Sequence, residues 1–207
     1  RIVSGTQRRP SVAIFRDGSH GVAWEDDQDR DRSWDVHVAG FDGSGRRSFA
    51  PTPVHAERRG QQTQPQVDTW SRWSSGSFVV VWEDDPQGDG RSQVLASGFD
   101  PRGRPMFRDL HVHDEEVEDQ AHPTLCVDEN GAFVVAWEAG GAEAEDSSIY
   151  MSAFDCEGER RFPVRRVNRS EDRHQRPDVA LRSKGDFVVV WEKAAGEGGF
   201  DVVGAGF

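Results

Sequence analysis

Gly76-Ser-Phe-Val-Val-Val-Trp-Glu-Asp84 is written four times in this chain. It returns as Gly131-Ala-Phe-Val-Val-Ala-Trp-Glu138 and Gly185-Asp-Phe-Val-Val-Val-Trp-Glu192, and a weaker copy, Gly18-Ser-His-Gly-Val-Ala-Trp-Glu-Asp26, comes first. Each copy is a short apolar run of Val and Phe bounded by Gly and by acids. A run without polar alternation predicts a strand buried on both faces.

Working outward, the tryptophans Trp24, Trp82, Trp137 and Trp191 are 58, 55 and 54 residues apart, a period that sets the architecture. Upstream of each lies a proline segment: Gln7-Arg-Arg-Pro10-Ser-Val12, Gln62-Thr-Gln-Pro65-Gln-Val67, Gln120-Ala-His-Pro123-Thr-Leu125 and His174-Gln-Arg-Pro177-Asp-Val179. Proline is tolerated at a strand's first residue, where its missing N–H is not yet needed, so a strand is expected to start there. Downstream, strands run from Val36 to Phe41, Val94 to Phe99, Ile149 to Phe154 and Val202 to Phe207. The first three enter the turns Phe41-Asp-Gly-Ser-Gly45, Phe99-Asp-Pro-Arg-Gly103 and Phe154-Asp-Cys-Glu-Gly158, with Asp and Gly where turn chemistry wants them. A fourth strand follows, carrying Phe49 and Val54, Phe107 and Val112, then Phe162 and Val167.

Four antiparallel strands per repeat, with no helical stripe, predict an all-β, four-bladed β-propeller in one domain. The blades are expected at about 8–57, 62–115, 120–170 and 174–207. The last repeat stops before its fourth strand, and Val3 aligns with Val167. Residues 1–7 are therefore expected to complete the last blade and close the ring, which abolishes the exposed edge.

The pattern Gly-x-Phe-Val-Val-x-Trp-Glu followed by Phe-Asp-x-x-Gly resembles the propeller-like repeats of large secreted bacterial surface proteins. That resemblance implies a secreted or cell-surface setting and brings no catalytic motif. The copy at Gly18 departs from it, with His20 and Gly21 in place of Phe and Val.

A net charge of −12 argues against nucleic acid or an anionic membrane surface as partner. No run approaches the roughly 18–20 apolar residues that would insert into a membrane. Two cysteines, Cys126 and Cys156, have neither disulfide-framework nor metal-site spacing. No Gly-x-Ser-x-Gly or His-Glu-x-x-His segment points to a hydrolase or zinc site. His111 and His113 alternate on one strand without a third ligand.

Three constellations remain. Asp27, Asp29 and Asp31 alternate in an acidic loop, a spacing that suits Ca²⁺, although Gly and the distal acid of an EF-hand are missing, Arg30 and Arg32 can neutralise the loop, and a solvated acidic loop is the plainer account. Gln7, Gln62, Gln120 and His174 share one position per repeat; they form either a polar ring at the channel mouth or glue between blades. Trp70 and Trp73 lie outside the repeat, in a segment special to the second blade, and are candidates for a binding surface. No cofactor is required. The resulting expectation is a monomeric, non-catalytic module that binds a protein or carbohydrate ligand through its acidic loop face. The alternatives are a carboxylate-based glycoside hydrolase or lyase, recognisable by two acids facing each other in a pocket, and a structural spacer.

Overall fold

The computed structural model describes residues 5–27, 33–56, 59–70, 76–113, 119–140, 147–182 and 185–207. They form fifteen strands in four separate sheets, all paired antiparallel. The first sheet holds β1 (Thr6–Ile14), β2 (His20–Asp27), β3 (Asp35–Phe41) and β4 (Arg47–Pro53) in that order. The second holds β5 (Gln61–Trp70), β6 (Ser77–Asp85), β7 (Gln93–Phe99) and β8 (Pro105–His111). The third holds β9 (Gln120–Val127), β10 (Phe133–Ala139), β11 (Ser148–Phe154) and β12 (Arg160–Arg166). The fourth has three strands, β13 (His174–Leu181), β14 (Phe187–Ala194) and β15 (Phe200–Gly206).

The Phe-Val-Val-x-Trp run is the second strand of its sheet, and in the two middle sheets it is buried on both faces. Phe78, Val80 and Trp82 pack back onto Ala23, Val36, Val38 and Val54 of the first sheet. Val79 and Val81, pointing the other way, pack onto Leu125, Phe133, Val135 and Trp137 of the third. Val134, Ala136, Ile149 and Met151 meet Val179, Phe187, Val189 and Trp191 in the same manner. The period-two alternation of side chains is thus used twice, once toward each neighbouring sheet.

The predicted hairpins form as written. Asp42, Asp100 and Asp155 each accept from two backbone N–H groups with one side-chain oxygen. Gly45, Gly103 and Gly158 close those turns at positive φ, 80°, 73° and 85°.

Two expectations need correction. The prolines do not open their strands: β1, β5, β9 and β13 begin three or more residues earlier, and the pairing slips at each proline. The residue before it, Arg9, Gln64, His122 or Arg176, has φ of 48–54°. Proline cannot donate to the ladder, so the strand accommodates it as a bulge. The second correction concerns the chain start. Thr6 and Gln7 pair with Asp27 and Asp26 inside the first sheet rather than extending the last one, and residues 1–4 of the predicted closing strand lie outside the described residues.

Candidate functional site

The repeated polar positions are held inside the sheets. Gln7 Nε2 donates to Asp26 at 3.1 Å. Gln62 Nε2 donates to Asp84 Oδ1 at 2.9 Å and to the Arg59 carbonyl at 2.7 Å. Gln120 Oε1 accepts from the Val94 N–H at 3.0 Å. His174 Nδ1 accepts from the Trp191 indole at 2.8 Å, which leaves Nε2 to donate to Ser170 Oγ at 2.9 Å. Burial holds His174 below the usual histidine range, in keeping with that neutral tautomer. Gln62, Gln120 and His174 are all buried, and the partners of these groups lie on strands and loops of their own and adjacent sheets.

Trp70 is also buried, with its ring against Gly131 and the third sheet, while Trp73 lies outside the described residues. Asp27 ends β2, and Asp29 and Asp31 lie outside the described residues. Among the described residues no three His, Cys, Asp or Glu side chains converge as metal ligands. Both cysteines are free, and burial pushes the Cys126 thiol up to about 12.

Sequence reading missed what the Trp-Glu glutamates do. Three of the four reach into the following sheet and accept from the N–H of its bulged residue: Glu25 from Gln64 at 2.8 Å, Glu83 from His122 at 2.7 Å, Glu138 from Arg176 at 3.3 Å; the fourth, Glu192, accepts from Gln175 Nε2 of its own sheet at 2.6 Å. Glu25 is also bound by the Arg8 and Arg9 side chains, and Arg8 stacks on Trp34. His122 in addition places Nδ1 3.0 Å from Glu138. That bond, with the Glu138 and Glu83 charges, raises its pKa. Burial raises that of Glu83. These carboxylates hold sheet to sheet and present little surface to a ligand.

A different pair lines a cavity. A cavity of about 360 Å³ lies between the loop after β4 and the outer strands of the second sheet, lined by His55, Arg59, Asp84, Gln93, Asp109 and His111. Asp84 ends the Trp82-Glu83 run on β6, and β8 brings Asp109 and His111 alongside through β7. Burial is the main cause that raises the Asp84 pKa, and the Asp109 charge adds to it; the bond from Gln62 and the nearby histidines oppose it. Asp109 sits at φ 50°. Its Oδ2 accepts from the Ala56 N–H at 3.0 Å, while its Oδ1 is buried without a hydrogen-bond partner. A strained backbone beneath an unsatisfied carboxylate oxygen is the kind of feature that concentrates at functional sites. The repeat itself marks the spot: Pro51 and Val164 stand where this blade has Asp109, and Pro53 and Arg166 where it has His111.

No family model matches the chain, and no curated protein matches it. Among solved structures it is similar to the GH93 α-L-arabinofuranosidase of Fusarium graminearum in complex with arabinobiose, at 12% identity and TM-score 0.62, over 95% of this chain and 61% of that one. The α-L-arabinanase of Penicillium chrysogenum complexed with arabinobiose matches at 11% identity and TM-score 0.63, over 97% and 62%. A Hadza microbial sialidase matches at 12% and 0.62, over 98% and 45%. The chain therefore spans about three fifths of the first two. The likeness defines the fold as a β-propeller. It also corrects the expectation of a non-catalytic module toward its glycoside hydrolase alternative, since the arabinofuranosidase, the arabinanase and the sialidase that share this fold are enzymes.

Proposed function

We propose that this protein is a carbohydrate-processing enzyme of the glycoside hydrolase type, acting in the cavity between the loop after β4 and the second sheet. The observation that carries the reading is the pair of carboxylates in one pocket, Asp84 with its proton affinity raised by burial and by the charge of Asp109. Glycosidic hydrolysis needs two acids in unequal states, one to protonate the leaving oxygen and one to act on the anomeric carbon directly or through water. Asp84 is the proton donor. Asp109, with an oxygen free to accept, is the base or nucleophile, and His55, His111 and Arg59 line the space for sugar hydroxyls. The cavity is at the small end of ligand pockets, roughly 300–1,000 Å³, and suits the end of a glycan. A secreted setting fits such a substrate.

The test is hydrolysis of a panel of aryl glycosides, arabinofuranosides first, by the wild type and two variants. Asp84→Asn should lose activity toward poor leaving groups and regain it with dinitrophenyl glycosides, which leave without protonation. Asp109→Asn should lose both. A wild type inert across the panel, or variants equal to it, would overturn the proposal.

A further inference from the structure

The cavity between the loop after β4 and the second sheet departs from the rest of the repeat in its charges. Position by position, Arg59 stands where the other copies have Ser4, Val117 and Glu171, so this copy alone puts a cation there. Gln93 pairs with Asp84 across β6 and β7, whereas in the first sheet Asp35 pairs with Asp26. One copy of the repeat thus has an added arginine and an amide in place of an acid, in a chain whose net charge is −12.

The arginine is also held in place. Gly60 beside it has φ 73°, and a Cβ there would collide with the Asp85 carbonyl, so the backbone at 59–60 lies directly against the end of β6. Gln62, which is buried, donates through Nε2 both to the Arg59 carbonyl at 2.7 Å and to Asp84 Oδ1 at 2.9 Å. One amide therefore sets the arginine's backbone and the candidate acid in a fixed relation.

Arg8, Arg9 and Arg176, at the junctions between sheets, each bind a glutamate. The Arg59 side chain is exposed and takes part in no ion pair among the described residues, although Asp84 and Asp109 line the same cavity. His55 is engaged, with Nε2 3.4 Å from Asp35. His111 is exposed and lines the cavity with a second potential donor. An unpaired guanidinium offers parallel N–H groups that match a carboxylate or a sulfate, and such bonds are stronger than those of a neutral donor to a hydroxyl.

We propose, resting on the glycoside hydrolase reading, that this cavity selects sugars bearing an anionic group, a uronate carboxylate or a sulfate, which Arg59 binds while His111 adds a donor. A neutral sugar leaves the guanidinium without its partner. The charge therefore sorts substrates by binding, apart from the chemistry assigned to Asp84 and Asp109.

Titration calorimetry of the whole chain with methyl glucuronide, methyl galacturonide, methyl glucoside 6-sulfate and neutral methyl glucoside tests this without requiring turnover. At low salt a charged sugar should bind about tenfold or more tightly than the neutral one, the range of a hydrogen bond to a charged group. The gap should narrow as salt is raised. Arg59→Gln, at an exposed position, should remove the gap, and Arg59→Lys should keep part of it, because the charge stays and the fork is lost. Arg102→Gln makes the same charge change in the turn between β7 and β8 and should keep the gap whole. A preference for the uronates alone assigns the carboxylate, and one for the sulfated sugar alone assigns the sulfate. A wild type that binds no charged sugar, or none more tightly than the neutral one, overturns the proposal, as does an Arg59→Gln variant that keeps the preference. A charge preference in a protein that hydrolyses no glycoside would sink the hydrolase reading and keep this one. Hydrolysis of neutral aryl glycosides without any charge preference would do the reverse.

Discussion

The N–H of His122 donates to Glu83 at 2.7 Å across the boundary between the second and third sheets, and the ring of the same histidine lies 3.0 Å from Glu138. One residue thus ties two carboxylates of neighbouring blades. Both His122 and Glu83 hold their protons more tightly in the folded chain than in the unfolded one, the histidine chiefly through its bond to Glu138 and the glutamate through burial. A group whose folded pKa is raised stabilises below its unfolded pKa and loses that contribution as pH rises through the folded value. His174, lowered by burial, acts in the opposite sense. The contribution of His122 is therefore best read as a difference. The stability gap between wild type and His122→Gln in urea melts should be full below about pH 6.5, the unfolded value, and shrink as pH rises through the raised folded one. The ring is 36% exposed, so solvent screening keeps the change to about 1 kcal/mol or less. A gap independent of pH would show that the ring does not titrate against Glu138.

Unequal burial predicts unequal tryptophans. Trp82 is wholly buried between two sheets, and Trp82→Ala should cost about 3–5 kcal/mol, as large-to-small changes in a packed core do. Trp24 holds the same place in the repeat but is only half-buried, on a face that no sheet of the described residues covers, stacked on His37. Trp24→Ala should cost clearly less in dilute solution, measured by denaturant midpoints at concentrations where the chain is monomeric. Equal costs would mean that the first sheet is covered there.

Gly131 and Gly185 separate backbone strain from packing. Both precede the Phe-Val-Val run at positive φ, 86° and 88°, but a Cβ on Gly131 would lie 2.5 Å from the Trp70 indole whereas one on Gly185 meets nothing. Gly185→Ala should cost about 1 kcal/mol from conformation alone. Gly131→Ala should cost about 1–3 kcal/mol more, because the wedge of Trp70 between two sheets must shift. The comparison assigns Trp70 its place: a ring that holds sheets together is sensitive to its neighbour's size.

These contrasts show where sequence reading reached. The repeat of Trp24, Trp82, Trp137 and Trp191 located the second strands because burial on both faces leaves a run of apolar residues with no polar interruption. The Asp-to-Gly turns were legible because their chemistry is local, within five residues. The bulge at each proline was not, because its cause lies in the ladder to the partner strand, and the residue ahead of proline gives no composition cue for positive φ. Nor was the role of Glu83, whose donor partner is the backbone N–H of a residue 39 positions away. Asp109 and His111 broke the repeat in plain view. Their meaning needed the register of β8 on β7, which sets them in the same cavity as Asp84.

The proposed acid gives the last prediction. If Asp84 donates the proton, turnover falls as pH rises through its folded pKa, and whatever moves that pKa moves the alkaline limb of the kcat/KM profile. Gln62 Nε2 donates to Asp84 Oδ1 at 2.9 Å and so favours the charged carboxylate. Gln62→Met removes the donor and leaves a side chain of similar length in the same buried space. With burial and the charge of Asp109 then less opposed, the Asp84 pKa should rise, and the alkaline limb should move to higher pH while the acid limb stays. The carboxyl carbon shift of Asp84, followed by NMR titration, should move in the same direction whether or not substrate is present. A limb that stays in place while the NMR pKa rises would assign the proton donor to another group. A pKa that does not rise would show that the Gln62 bond does not control Asp84.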